Sequence, residues 1–293
     1  MDARIELLNK FIKSNNILNN DMHLIDTDAS FRKYYRISGN NTLIMDAPNE
    51  KGESVKSFHL IDKILLEMGI SVPVIHSIDE NNGFILLEDL GDQIFSRILN
   101  DENEYKLYQN AIVVLAHIYL ESNEKKFNKK EIPFYSIDKL LEESNLFCDW
   151  FMEKHCQIKL TVKEKLEYQE ILKKIFQGID STNSSLVLRD YHVDNLILLK
   201  DRKGKKQVGV IDFQDAVIGA NSYDLVSLLE DVRRPITEDL KEKLIEEYIH
   251  ITCYDPKQLL KEMRFFSVQR NLKIIGIFSR LKYRDQKPKY MKL

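Results

Sequence analysis

Apolar residues recur at helical spacing over residues 5–17, and the pattern then breaks into short strand-like runs at 22–25, 31–37 and 42–45, separated by polar turns. A second helical period spans 53–68 and ends at Gly69, a residue suited to closing a helix. Two more strands, 72–78 and 83–87, flank an Asn81-Asn82-Gly83 turn. The first 90 residues or so therefore predict five short strands with one helix inserted after the third.

The character changes after Leu90-Gly91-Asp92. Residues 107–120 are apolar nearly all round, the pattern of a helix buried on every side. Residues 136–152 predict another helix, and Thr161-Val162-Lys163-Glu164 has the form of a capping box opening a third. Short apolar strands at 186–188, 196–199 and 207–211 interrupt an otherwise helical half. Helices resume near Tyr223, Thr237 and Asp255-Pro256, where Asp suits the cap and Pro the first turn. The predicted class is α+β: a small antiparallel-sheet lobe over 1–89, a hinge at 88–92 and a larger helical lobe over 93–293.

Composition removes several functional classes. The chain has 293 residues, 43% hydrophobic and 30% charged, with net charge −3 and a pI near 6.2. No basic surface or basic–aromatic patch suggests a nucleic acid, and no apolar run is long enough to span a bilayer. The N-terminus, with Asp2, Arg4 and Glu6, lacks the form of a signal peptide. Cys148, Cys156 and Cys253 have no metal-ligand spacing, and their odd number fits buried reduced thiols rather than a disulfide framework. A cytoplasmic chain with no membrane, nucleic-acid or obligate protein partner is the expectation.

The segment that carries chemistry is Leu188-Arg189-Asp190-Tyr191-His192-Val193-Asp194-Asn195, set between two apolar strands. Phosphoryl transfer needs a carboxylate near the attacking hydroxyl and metal ions held against the phosphates. An Asp followed five residues later by Asn is the spacing at which a kinase catalytic loop supplies both. The next strand returns as Val210-Ile211-Asp212-Phe213-Gln214, placing Asp212 where a second metal ligand belongs.

In these segments the chain resembles the aminoglycoside phosphotransferase and choline kinase superfamily, which shares the protein-kinase-like fold. It is more narrowly similar to the bacterial anomeric kinases of N-acetylmuramate and N-acetylglucosamine. The narrower likeness rests on Asp28-Ala29-Ser30-Phe31-Arg32-Lys33-Tyr34-Tyr35-Arg36, Met45-Asp46-Ala47-Pro48 and Leu86-Leu87-Glu88-Asp89-Leu90-Gly91-Asp92. It continues through Arg189-Asp190-Tyr191-His192, Ile211-Asp212-Phe213-Gln214 and Tyr223-Asp224-Leu225-Val226. Near the end come Gln269-Arg270-Asn271-Leu272-Lys273 and Gly276-Ile277-Phe278.

The resemblance implies a kinase that uses ATP and Mg2+, with a small-molecule sugar acceptor phosphorylated at its anomeric hydroxyl in cell-wall sugar recycling. Asp190 would be the base, and Asn195 and Asp212 would hold magnesium. The loop Asp28, Ala29, Ser30 and Phe31, with Arg32, would cover the phosphates. Glu88, Asp89 and Leu90 would meet the adenine edge through their backbone. Asp224 would brace the catalytic loop, a role compatible with capping its own helix. A kinase for an aminoglycoside, choline or another sugar is the alternative within the class, and a pseudokinase scaffold the alternative outside it.

The chain departs from the family pattern in several places. Met45 or Asp46 stands where most kinases place a phosphate-binding lysine, leaving Arg32, Arg36, Lys51 and Lys56 as candidates for that charge. Thr27 replaces a Gly, Leu188 a His that an apolar packing residue must substitute, and Gln214 the Gly of Asp-Phe-Gly. The resemblance also implies a few dozen residues beyond Leu293. His192 can either contact substrate or pack on the lobe. Arg270 and Lys273 can meet an acidic sugar or form surface ion pairs. Trp150 is expected in the core.

Overall fold

A computed structural model of the chain describes residues 3–17, 22–25, 31–124, 128–179 and 184–292. In chain order the elements begin with α1 (Ala3–Ser14), β1 (Met22–Ile25), β2 (Lys33–Ile37), β3 (Thr42–Asp46), α2 (Val55–Glu67), β4 (Ile75–Asp79) and β5 (Phe84–Glu88). Then come α3 (Phe95–Ile98), α4 (Glu104–Glu124), α5 (Ile137–Leu146), a π-helical stretch (Phe147–His155) and α6 (Val162–Phe176). The remainder is β6 (Ser184–Val187), β7 (Leu196–Leu198), β8 (Val208–Val210), β9 (Val217–Ala220), α7 (Ser222–Leu229), α8 (Glu238–Thr252) and α9 (Pro256–Tyr283).

These elements fall into two compact units. One comprises Met1–Ile98 with Asn195–Asp215, the other Leu99–Asp194 with Ala216–Leu293. A single boundary at 88–92 is contiguous along the chain, whereas this grouping returns 195–215 to the first unit.

In the first unit β1–β5 form one antiparallel sheet in the order β1-β2-β3-β5-β4. The central strands β3 and β5 are buried along most of their length, as expected of strands covered on both faces. Helix α1 lays Leu8, Phe11 and Ile12 against Ile37, Ile44, Phe84 and Leu86, and the Phe11 and Phe84 rings stack at 5.5 Å. Helix α2 is capped by Ser54, whose hydroxyl accepts from the Ser57 amide, and is followed by Gly69 in the left-handed conformation. The small β7–β8 pair joins this unit through Ser71, which bridges to Gly209.

In the second unit α4 buries Leu107, Ala111, Ile112, Leu115 and Ile118, on more than one face, as its sequence demands. Thr161 and Glu164 form the full capping box, and Asp255 and Pro256 open α9 as cap and first-turn residue. Two expectations need correction. Trp150 lies in the π-helical stretch and is only partly buried, because that wider winding turns it off the stripe a regular helix would bury. Only Cys148 is a buried thiol; Cys156 and Cys253 are exposed. Strand β9, pairing Val187 with Val217, carries no alternating pattern in the sequence; a glycine interrupts its four residues.

Candidate active site

The segment Leu188 to Asn195 is anchored from both sides. Tyr191 is buried and donates its hydroxyl hydrogen to the Ala111 carbonyl of α4 at 2.8 Å. Leu188 is 2% exposed, packed as an apolar residue there was expected to be. Arg189 has φ +71°, a left-handed conformation that a non-glycine residue adopts at a cost of order 1 kcal/mol or more. Asp224 holds this turn: its carboxylate accepts the amides of Leu188 and Arg189 at 2.6 and 2.8 Å. It makes no capping bond to its own helix, whose N-cap position is Asn221. Burial pushes the Asp224 carboxyl up to about 7, against the two amides that favour its charge.

Asp190 follows, partly accessible to solvent. Burial pushes its carboxyl up, but Lys273, then His192, Arg270 and Arg189, more than offset that and hold it below the usual aspartate range. Asp190 is therefore ionised at neutral pH. Arg270 and Lys273 are 4% and 8% exposed, so they are not surface ion-pair residues; α9 carries them into the interior beside the loop. Arg270 Nη1 donates to the Arg189 carbonyl at 3.4 Å, and Lys273 Nζ donates to the Tyr223 hydroxyl at 3.2 Å. Burial lowers the Lys273 ammonium, but Tyr223, Glu143 and Asp190 raise it further, so it stays charged.

Behind these cations stands Glu143 on α5, a residue the sequence pattern did not single out. It receives hydrogen bonds from Arg189, from Tyr135 at 2.5 Å and from Gln269 at 3.2 Å, and pairs with Lys273 at 3.4 Å. Nothing in the sequence distinguishes Glu143 from Glu142 beside it; only the packing of α5 on α9 brings it here. His192 is also buried; burial, then Arg233, keeps its imidazole below the ordinary histidine range and hence neutral near pH 7. Arg233 reaches Asp194 at 3.2 Å and Asp231 at 2.9 Å.

Asn195 and Asp212 belong to the first unit. The Ile211 amide donates to the Asn195 carbonyl, and Asn195 Nδ2 lies 3.5 Å from Asp212 Oδ2. Asp212 has φ +61°, and Gln214 donates to its Oδ1 at 2.8 Å. The Asp212 carboxylate is a hard-oxygen donor of the kind magnesium takes, and Asn195, with its amide turned from the Nδ2 contact to Asp212, would add its oxygen, with phosphates and water completing the shell. The donor pair thus fits that ion. Among the described residues no group of three His, Cys, Asp or Glu side chains could hold a metal without such help.

Arg32, buried just ahead of β2, pairs through Nε with Glu53 at 2.7 Å and through Nη1 with Asp212 at 3.5 Å. Arg36 is committed to Asp89 and Asp92. Glu88 is held by Arg202 at 2.5 Å, and the amides of Glu88 and Asp89 already donate to the carbonyls of Val74 and Asn41. Leu90 is buried with Ile197 and Leu199. Phe31 is exposed, with Lys51 over its ring, while Asp28, Ala29 and Ser30 lie outside the described residues.

The profile of the phosphotransferase enzyme family matches residues 21–266. An N-acetylmuramate/N-acetylglucosamine kinase of Neisseria meningitidis serogroup B is 33% identical over 92% of this chain and 81% of its own length. Another N-acetylmuramate/N-acetylglucosamine kinase, from Pseudomonas putida, is 32% identical over 90% of this chain and 78% of its own. The solved structure of ADP-bound aminoglycoside phosphotransferase APH(2'')-Ib superposes with a TM-score of 0.67 at 17% identity, covering all of this chain and 95% of that one. With its five-stranded antiparallel sheet, its helical second unit and a match over most of its length, the chain belongs to the phosphotransferase enzyme family.

Proposed function

We propose that this chain is an ATP-dependent kinase that phosphorylates the anomeric hydroxyl of an N-acetylated amino sugar. The observation that carries the reading is Asp190: a partly accessible carboxylate kept ionised by buried cations, on a loop locked from behind by Asp224 and Tyr191. The amino-sugar kinases among the relatives supply the acceptor class, and the ADP bound to the structural neighbour supplies the donor class.

In this reading Asp190 takes the proton of the attacking hydroxyl as its oxygen bonds to the γ-phosphorus and the bond to the β–γ bridging oxygen breaks. The pKa of a free carboxylate is too low to deprotonate a hydroxyl in advance, so the transfer accompanies attack, and Asp190 also aims the nucleophile. Asn195 and Asp212 would hold Mg2+, which would neutralise charge on the phosphates. The Leu90 amide is the donor within 88–90 best placed for an adenine edge, given that those of Glu88 and Asp89 are engaged. Arg270 and Lys273 place two buried cations beside Asp190. That suits an acidic sugar such as N-acetylmuramate better than a polycationic aminoglycoside, for which the carboxylates of Asp215, Glu230 and Asp231 provide little counter-charge.

The test is nucleoside diphosphate release with Mg-ATP against N-acetylmuramate, N-acetylglucosamine, choline and one aminoglycoside. Turnover with the amino sugars alone, yielding an acid-labile phosphate as anomeric phosphates are, is the expected result. Asp190→Asn should lower kcat by roughly 100-fold or more while nucleotide affinity stays within about twofold. Full turnover in that variant removes Asp190 from the role, and turnover only with choline or the aminoglycoside removes the sugar assignment.

A further inference from the structure

Strand β3 cannot supply the cation that kinases use to hold nucleotide phosphates. Met45 is fully buried and apolar, and Asp46 is a carboxylate tied to Arg4. Arg4 is itself committed, bonding Asp46 and the Asn82 carbonyl and stacking over Phe84 at 4.1 Å. Of the cations in the neighbouring segments, Arg36 is clamped by Asp89 and Asp92, and Lys56 is a largely exposed side chain 3.9 Å from Glu80.

Arg32 differs from all of these. Its side chain is 10% exposed and set between two carboxylates, Glu53 and Asp212. The two contacts are unequal. The Nε–Glu53 bond is short at 2.7 Å, whereas Nη1 reaches Asp212 only at 3.5 Å. Glu53 immediately precedes Ser54, the N-cap of α2, which is the helix inserted between β3 and β4. In protein kinases the phosphate-binding lysine is steadied by a glutamate from the helix that follows its strand. Here the same chemistry is available with both partners displaced, the cation to the start of β2 and the carboxylate to the residue before the helix. Arg32 also lines a cavity of about 450 Å3, together with Arg4, Lys33 and Lys51 and the carboxylates of Asp46 and Glu50.

We propose that Arg32, gripped by Glu53, is the phosphate-binding cation of this enzyme, and that its long contact to Asp212 is exchanged for a nucleotide phosphate when the metal–nucleotide complex binds. The fork geometry of guanidinium permits this exchange, since one edge can stay on Glu53 while the other turns to a new acceptor. The inference rests on the kinase reading above and adds to it a positioning role for Glu53.

Isothermal titration of the full chain with the tighter of ATP and GTP, and with its nucleoside, tests the proposal both with Mg2+ and in EDTA. Arg32→Ala should weaken triphosphate binding by roughly 10- to 100-fold, as expected when a charge-assisted hydrogen bond is lost from a buried site. Nucleoside affinity should stay within about twofold, and Arg32→Lys should recover part of the loss. Glu53→Gln keeps the shape of the glutamate and should weaken the triphosphate selectively as well, a second route to the answer should Arg32→Ala fold poorly. Equal triphosphate affinity in wild type, Arg32→Ala and Glu53→Gln, or a parallel loss of nucleoside binding, overturns the proposal. A wild-type chain that binds neither nucleotide overturns the kinase reading itself.

Discussion

Lys273 illustrates how one side chain sets the chemistry of another. Its ammonium is the largest of the influences that hold Asp190 ionised, and it is itself kept charged by Tyr223, Glu143 and Asp190. Because the folded Asp190 carboxyl lies below its ordinary value, the acid limb of kcat/KM should fall below the ordinary aspartate range near pH 4. Replacing the ammonium by a neutral chain of similar length, Lys273→Met, should move that limb to higher pH and lower kcat at neutrality. A pH–rate profile of the variant checks this, and an unmoved acid limb would show that Lys273 does not tune the base. The residue was visible in the sequence as part of Arg270-Asn271-Leu272-Lys273. Its burial was not, because a lysine on a long helix reads as solvent-facing until the packing of that helix is known.

At the scale of elements, the crossing of α9 and α5 decides whether this cluster can form. Gly276 meets the backbone of Leu146 so closely that an added Cβ would lie 2.4 Å from the Leu146 carbonyl carbon. That contact joins α9 to the point where α5 gives way to the π-helical stretch, and α5 carries Glu143 while α9 carries Arg270 and Lys273. Gly276→Ala must push the helices apart, since the obstructing atoms are backbone. A loss of about 1–3 kcal/mol is expected, by analogy with overpacked cores. Urea unfolding should register it, together with a reduced kcat as Glu143 and Lys273 move relative to each other. Unchanged stability would mean that the crossing tolerates a methyl group. The motif Gly276-Ile277-Phe278 was legible as a family feature, but the reason for its glycine is a contact 130 positions away along the chain.

For the molecule as a whole, no helix among the described residues is long and apolar enough to cross a membrane. Its stability should depend on pH through a residue outside the candidate site. Asp62 on α2 is 2% exposed, its Oδ1 meets no hydrogen-bond partner among the described residues, and burial pushes its carboxyl up to about 7. In the unfolded chain an aspartate titrates near 4, so between about pH 4 and pH 7 the folded state keeps a proton that the unfolded state has lost. Stability contributed this way is complete below pH 4, declines as pH rises and levels off above 7; a displacement of this size corresponds to at most ~4 kcal/mol. Asp224, pushed in the same direction, adds to the same slope. Asp62→Asn should reduce the fall in urea midpoint between pH 5 and pH 8, whereas an identical slope in both proteins would exclude Asp62 as its source.

The amino-acid pattern alone determined the α+β class, the order of the first five strands and the longer helices, the capping residues Thr161 and Asp255, and the loop carrying Asp190 and Asn195. Each of these depends on neighbours within a few residues, where backbone periodicity, turn chemistry and capping act directly. Only the tertiary structure decided that α9 delivers buried cations to Asp190, that Glu143 stands behind them, and that Arg32 rather than Arg36 or Lys56 lies between Glu53 and Asp212. An ion pair has no periodicity to read. Its partners are chosen by which surfaces the packed elements bring within a few ångströms, and Arg32 and Asp212 are 180 positions apart in the chain.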